Sequence, residues 1–181
     1  MQDQGELTSG AQAEQVLRSR LDQYTSVDQI AKALEDAKVD PQAGIRVAPL
    51  KEETVNGVLI RDSGAIVKAG TRVNAHFHSG ANVSRDMSGY EVYKVLSGSG
   101  AIDLGTPLQA QDGSFVTNEE GKTKVNYEPS QPVGPGSYIF VKPGQVHSLE
   151  AGPDEELKFV FTGSPDHLSP QDRVMAANPA A

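Results

Sequence analysis

The apolar residues near the N-terminus recur with the spacing of an α-helix. In residues 11–24 they lie three or four positions apart, which predicts a helix with one apolar face. Ser26 then begins a capping-box pattern, and a second apolar helical face follows it as far as about Lys38. We expect residues 1–45 to form a helical extension whose two short helices pack on the outside of the domain that follows. A dimer contact is the alternative use of these apolar faces.

From about Arg46 the pattern of apolar residues changes to the period of two that is typical of β-strands. Short apolar segments alternate with clusters of Gly, Asn, Asp or Pro. The predicted strands are 58–60, 65–67, 72–78, 91–96, 101–104, 114–117, 124–127, 137–141 and 157–161. Because no long helix separates them, we expect a mainly β fold, an antiparallel sandwich or barrel, over residues 46–164. Residues 165–181 are predicted to be a C-terminal tail, with a short helix near 171–176 as an option.

Composition narrows the classes of partner. The 181 residues suit one domain, and 16 basic against 24 acidic side chains give a net charge of −8. Because no basic patch is visible, we expect no nucleic-acid partner. No apolar run reaches the length of a membrane span, so we expect no membrane partner. The absence of cysteine excludes disulfides and thiolate metal sites. The polar start of the chain does not look like a signal peptide, so we expect a cytoplasmic protein, with a mature exported form as the alternative.

Three of the four histidines lie in segments that could form a metal site. His76 and His78 are two residues apart on a predicted strand, so their imidazoles point the same way and could share one ion. Glu91 begins a predicted strand, and Gly98 follows that strand seven positions after Glu91. A later segment runs from a glycine through a strand and a Pro-Gly turn to His147. The fourth histidine, His167, is interpreted as an ordinary surface residue.

These segments resemble the two motifs of the cupin superfamily, G-x5-H-x-H-x(3,4)-E-x6-G and G-x5-P-x-G-x2-H-x3-N. The residues at motif positions are Gly70, His76, His78, Glu91, Gly98, Gly136, Gly144 and His147. The resemblance covers roughly residues 70–151. It implies a small single-domain cupin, an antiparallel double-stranded β-helix (a jelly-roll barrel), with the two short N-terminal helices outside it.

The resemblance also implies one divalent transition metal held by His76, His78, Glu91 and His147. Fe(II) is the first candidate, and Mn, Ni, Zn and Cu are the others. The chain departs from the motif because twelve residues separate His78 from Glu91. Asp86, within that insertion, is therefore the alternative carboxylate ligand. Lys142 and Ala151 replace a motif proline and asparagine, and these two changes affect turns rather than the metal.

Strand alternation predicts which side chains line the pocket. Arg72 shares the face of His76 and is a candidate to bind an anionic substrate, or else it lies at the rim paired with a surface acid. Tyr93 shares the face of Glu91 and is a candidate proton donor, or else a packed aromatic. The inward pair near residue 140 is either 138 and 140 or 139 and 141.

Several functions are compatible with such a site, because a fold does not specify a reaction. We expect a metal-dependent enzyme that acts on a small polar, anionic metabolite, with a mononuclear non-haem iron dioxygenase as the first candidate. The alternatives are a non-redox isomerase or lyase that acts on a sugar, a sugar phosphate or a small carboxylate, and a non-catalytic protein that binds a metal or ligand. We expect a small-molecule substrate and a homodimer.

Overall fold

The chain forms a mainly β structure with helices at its N-terminus. The structure, a computed structural model, describes residues 10–55, 57–78, 89–164 and 172–180. The helical elements are α1 (Gly10–Leu21), a 3₁₀ turn (Val27–Gln29) and α2 (Ala31–Glu35). The strands are β1 (Lys38–Asp40), β2 (Ile45–Val55), β3 (Val58–Val67), β4 (His76–His78), β5 (Glu91–Ser97), β6 (Gly100–Pro107), β7 (Val125–Tyr127), β8 (Gln131–Val133), β9 (Tyr138–Val141), β10 (Val146–Ala151), β11 (Leu157–Gly163) and β12 (Arg173–Met175).

The strands form two curled antiparallel sheets. The first sheet has the order β1-β2-β3-β11-β5-β9, and the second has the order β12-β4-β10-β6-β7, with β8 paired to β6. Alternate side chains of both sheets meet in one apolar core, which includes Phe159 from the first sheet and Leu149 from the second. This is the predicted double-stranded β-helix. Ile139 and Val141 belong to this core, whereas Tyr138 and Phe140 face the outer side of the first sheet.

The N-terminal helices pack on the outer side of the first sheet, as their apolar faces predict. Leu17 and Leu21 of α1 are fully buried in a second apolar cluster with Val92 and Val160 of the sheet. A buried polar contact adds to this packing, since Nε of Arg20 donates to Oδ1 of Asp62 at 2.9 Å. The helices therefore cover the sheet surface that lies opposite the central core.

The segment after the helices differs from the prediction. The second helical segment is broken into the 3₁₀ turn and the five-residue α2, and Lys38, the predicted helix end, begins strand β1. The signals in residues 41–44 belong to a hairpin turn rather than to a helix end. Asp40 Oδ1 accepts hydrogen bonds from the backbone N–H groups of Gln42 and Ala43 at 3.1 and 3.0 Å, which turns the chain from β1 into β2.

The C-terminal segment also differs from the prediction. Residues 173–175 form strand β12, which pairs with β4, so the helix considered near 171–176 is wrong for the residues that the structure describes. The backbone N–H of Ala176 donates to the carbonyl of Ala75 at 2.9 Å, which continues the contact between the two segments. The hydrogen-bonding edge of β4 thus fixes a segment that has no strand pattern of its own.

Three predicted strands have other outcomes. The segments 58–60 and 65–67 are parts of the single strand β3, and residues 114–117 make only isolated bridges.

Gly98 fits the tight connection between β5 and β6, because its φ is +81° and a Cβ there would lie 2.2 Å from the carbonyl oxygen of Glu156. Among the described residues, no helix is both long and apolar enough to cross a bilayer.

Candidate metal centre

Neighbouring strands of the second sheet bring three histidines together. β4 and β10 are antiparallel, and His147 lies directly opposite His76. His76 and His78 share one face of β4, as predicted, because Phe77 between them packs on the other face with Val146. Residues opposite each other in an antiparallel pair have their side chains on the same face. All three imidazoles therefore point into the barrel, where they are buried.

The three rings are close enough to bind one ion. Their ring centroids are 4.4 to 5.6 Å apart, and one nitrogen from each ring lies within 4.8 Å of the others. At metal–nitrogen bonds of about 2.1 Å, two ligand atoms of one ion are separated by at most about 4.2 Å. Only a small movement of the side chains is therefore needed, and the three histidines could hold a metal.

The hydrogen bonds of the rings fix which nitrogen is available. Nδ1 of His76 lies 2.7 Å from the carbonyl oxygen of Asn74, and Nδ1 of His147 lies 3.3 Å from that of Gln145. A carbonyl oxygen can only accept, so the proton of each neutral ring is on Nδ1 and the lone pair is on Nε2. Nε2 of His147 is buried and makes no hydrogen bond with any residue that the structure describes. The Nε2 lone pairs of His76 and His147 are therefore suited to bind a metal.

Glu91 of β5 reaches the same point from the opposite sheet. Its Oε2 lies 3.4 Å from Nε2 of His78 and 3.3 Å from Nε2 of His147. The hydroxyl of Tyr93 donates to the same Oε2 at 2.7 Å, which is the shared face predicted for these two residues. Asp86, the alternative carboxylate, lies outside the described residues, as does His167.

Two residues at the start of the C-terminal strand β12 lie beside the histidines, and the sequence analysis did not identify them. They are Asp172, directly before the strand, and Arg173, its first residue. Asp172 is buried, and its Oδ2 lies 3.3 Å from Nδ1 of His78, so it orients that ring as the carbonyls orient the other two. The next residue, Arg173, lies opposite His78 in the strand register and forms an ion pair with Asp40 at 2.7 Å. No motif marks either residue, since their position depends on β12 joining the sheet beside β4.

A small cavity lies beside this cluster. It has a volume of about 30 Å³, which is room for about two water molecules. Val73, Phe159 and Phe161 contribute apolar surface, while His76 and Glu91 contribute polar groups. A ligand that enters this cavity would therefore meet both the imidazole cluster and an apolar wall.

Known proteins share this architecture although they share little sequence. No family model matches the chain, and no curated protein matches it. Among solved structures, the capsular polysaccharide assembling protein CapF from Staphylococcus aureus is 14% identical, with a TM-score of 0.50 over 78% of this chain and 34% of that one. A cupin-like protein from Thermotoga maritima is 18% identical, with a TM-score of 0.45 over 75% and 78% of the two chains.

A third solved structure contains a double-stranded β-helix domain. It is a Klebsiella pneumoniae protein with a double-stranded β-helix domain, 18% identical, with a TM-score of 0.46 over 80% of this chain and 95% of that one. The chain itself forms two curled antiparallel sheets with inward histidines on β4 and β10. The chain has the cupin fold. At these identities the likeness concerns the fold and not the reaction.

Burial and charge set the protonation of His76, His78 and Tyr93. Burial, with the neighbouring histidines, holds the pKa of His76 well below its usual value, so this ring is neutral. Burial also lowers the pKa of His78, but the carboxylates of Glu91 and Asp172 outweigh it and raise that pKa to about 9. Burial and Glu91 raise the pKa of Tyr93 well above its usual value, so its hydroxyl keeps its proton.

The expected position of Arg72 inside the barrel is wrong. Residues 73–75 are not in a strand, and both Val73 and His76, three residues apart, line the interior. This break shifts the alternation, so Arg72 points to the outer side of the sheet. There it forms ion pairs with Glu150 and, at 3.4 Å, with Asp103. Arg72 thus corresponds to the alternative of an arginine paired with outer acids.

Proposed function

We propose that this cupin is a metal-dependent enzyme whose single divalent ion is bound by His76, His78, His147 and Glu91. One observation carries the proposal: the strands bring three buried imidazoles together so that one nitrogen of each lies within 4.8 Å of the others, beside the carboxylate of Glu91. Buried imidazoles that only packed in a core would have no need of this arrangement. Three neutral imidazoles and one carboxylate also leave a divalent ion with a net charge near +1 and with positions for a substrate.

The chemistry we propose is that of a dioxygenase acting on a small anionic metabolite. A bound divalent ion supplies Lewis acidity to an oxygen donor of the substrate and, as Fe(II), electrons to dioxygen. The cavity supports this choice, because it is small and partly walled by Val73, Phe159 and Phe161. These three side chains give dioxygen an apolar surface beside the polar groups that a substrate would contact. Tyr93 keeps its proton and holds Glu91 in place through its 2.7 Å hydrogen bond.

A metal exchange experiment tests the reaction class. Protein loaded with Fe(II) or with Zn(II) is mixed with a panel of two- and three-carbon hydroxy and keto acids, and oxygen uptake and product formation are recorded. We expect oxygen uptake that requires both an acid and Fe(II), because Zn(II) has no accessible redox state. Turnover by the Zn(II) protein without air would contradict a dioxygenase.

A non-redox isomerase or lyase is the second candidate, and the Tyr93–Glu91 contact is the observation that favours it. The Tyr93 hydroxyl, which keeps its proton at 2.7 Å from the carboxylate, is placed to donate a hydrogen bond to negative charge that develops on a substrate polarised by the ion. This candidate predicts turnover in the absence of oxygen with several divalent ions. The same experiment therefore separates the two reactions.

A further inference from the structure

Two charged residues from opposite ends of the chain separate the inner cavity from a larger surface pocket. The surface pocket has a volume of about 400 Å³ and is lined by Lys38, Pro41 and Arg61, among others. Asp40, Val47 and Arg173 line both this pocket and the cavity beside the histidines. The Asp40–Arg173 ion pair therefore lies where the pocket and the cavity adjoin.

The side chain of Arg173 belongs to the face of the sheet that carries the histidines. In the β12–β4 register Arg173 lies opposite His78, while the next residue, Val174, packs with Phe77 on the other face. The Arg173 side chain is only 5% exposed. A guanidinium cannot lose its charge, so this position keeps a buried cation beside the cavity at every pH.

Asp40 holds that cation with one oxygen and is itself fixed by the other. Its Oδ1 accepts from the backbone of the β1–β2 turn, and its Oδ2 lies 2.7 Å from Nη1 of Arg173. The β1–β2 turn therefore holds the Asp40 carboxylate in place. This carboxylate contacts the guanidinium of Arg173 where the carboxylate of a small ligand could bind instead.

The charge around the surface pocket favours an anion. Lys38, Arg61 and Arg173 line it. Arg61 pairs with Glu52 and Arg173 pairs with Asp40, so Lys38 supplies the positive charge that remains beside these two ion pairs. This charge contrasts with the net charge of −8 of the whole chain, and an anion that enters the pocket meets it before it reaches Arg173.

We propose that Arg173 is the anion-binding residue of this site. A small carboxylate enters through the surface pocket, replaces Asp40 on the guanidinium, and directs its remaining oxygen donors toward the histidine cluster. The inner cavity limits this ligand to an acid of about two or three carbons. The inference rests on the proposed function for the role of the metal, and it assigns to Arg173 the role that the sequence suggested for Arg72.

Calorimetric titration with oxalate tests the proposal on the full-length protein, both metal-loaded and metal-free, with metal content measured first. Arg173→Gln should weaken oxalate binding by at least about tenfold, since it removes a charge-assisted contact in a buried site. Asp40→Asn should instead tighten binding several-fold, because the amide oxygen still accepts from the turn while the competing charge is lost. Arg173→Lys should fall between the wild type and Arg173→Gln.

Two controls make the outcome specific. Lys122→Gln changes the net charge equally at an exposed lysine paired with Glu120, away from both pockets, and it should leave oxalate binding unchanged. Ethane-1,2-diol, a neutral molecule of similar size, should show no dependence on Arg173. Equal oxalate affinity in the wild type and Arg173→Gln, or weaker binding in Asp40→Asn, would overturn the proposal. A wild-type protein that takes up no metal, yet loses oxalate binding in Arg173→Gln, would contradict the proposed function alone.

Discussion

His76 and His78 carry different charges before a metal binds, although they lie within one small cluster. His76 is neutral because of its burial, whereas Glu91 and Asp172 overcome the burial of His78 and raise its pKa to about 9. In metal-free protein at neutral pH, His78 is therefore the ring that keeps a proton between the two carboxylates. A metal that uses Nε2 of His78 must displace that proton.

This charge predicts how metal binding depends on pH. Between about pH 7 and 9 the uptake of one ion should release about one proton, and the apparent affinity should rise by up to about tenfold per pH unit. Calorimetry in buffers of different ionisation enthalpy measures the number of protons released. Asp172→Asn should lower the pKa of His78 and move this dependence to lower pH. Affinity that is independent of pH over this range would contradict the assignment of His78 as a ligand.

The raised pKa of His78 also makes the stability of the metal-free fold depend on pH. Metal affinity rises with pH, whereas this stability falls. Because folding raises the pKa of His78 above the usual 6.5, its proton stabilises the folded state fully below about pH 6.5, and that stabilisation is lost as the pH rises toward 9. Metal-loaded protein lacks this loss, since the ion replaces the proton.

At the residue level, the resemblance to the cupin motifs implied the four ligands because each stands at a motif position, and strand parity placed His76 and His78 on one face. The structure places His76, His78 and His147 together with Glu91 beside them. Arg72 could not be placed correctly, because the irregular residues 73–75 shift the alternation without any sequence signal. Asp172 and Arg173 were missed because only a long-range strand pairing brings them to the site.

Among the elements, α1 was predictable because its apolar face repeats over three turns. The β1–β2 hairpin was not, since the proline and glycine of residues 41–44 are also typical of the end of a helix. Strand β12 has only three residues, too few to establish a period. These short elements depend on partners that are distant in sequence.

The packing of α1 predicts a measurable contribution to stability. Leu17 is fully buried against the first sheet, so Leu17→Ala should lower the free energy of unfolding by about 2–5 kcal/mol. Chemical denaturation measures this change. Gln15→Ala, on the exposed side of the same helix, should change stability by less than about 0.5 kcal/mol. Similar values for the two variants would show that the helix contributes no burial.

For the whole molecule, the double-stranded β-helix was predictable because the motif glycines and histidines mark its central strands. The Asp40–Arg173 ion pair beside the site was not predictable, because the two residues are distant in sequence. The homodimer, the cytoplasmic location and the boundaries of the extension and tail stay predictions.

The protein is proposed to bind one divalent ion through three histidines and a carboxylate. The most direct test is the metal content of protein purified without added metal, measured by mass spectrometry beside His147→Ala and Glu91→Gln. The account predicts about one first-row divalent ion per chain in the wild type, loss of most of it in His147→Ala, and weaker retention in Glu91→Gln. A wild-type chain without metal even after incubation with Fe(II) and Mn(II), or full occupancy in His147→Ala, would contradict it.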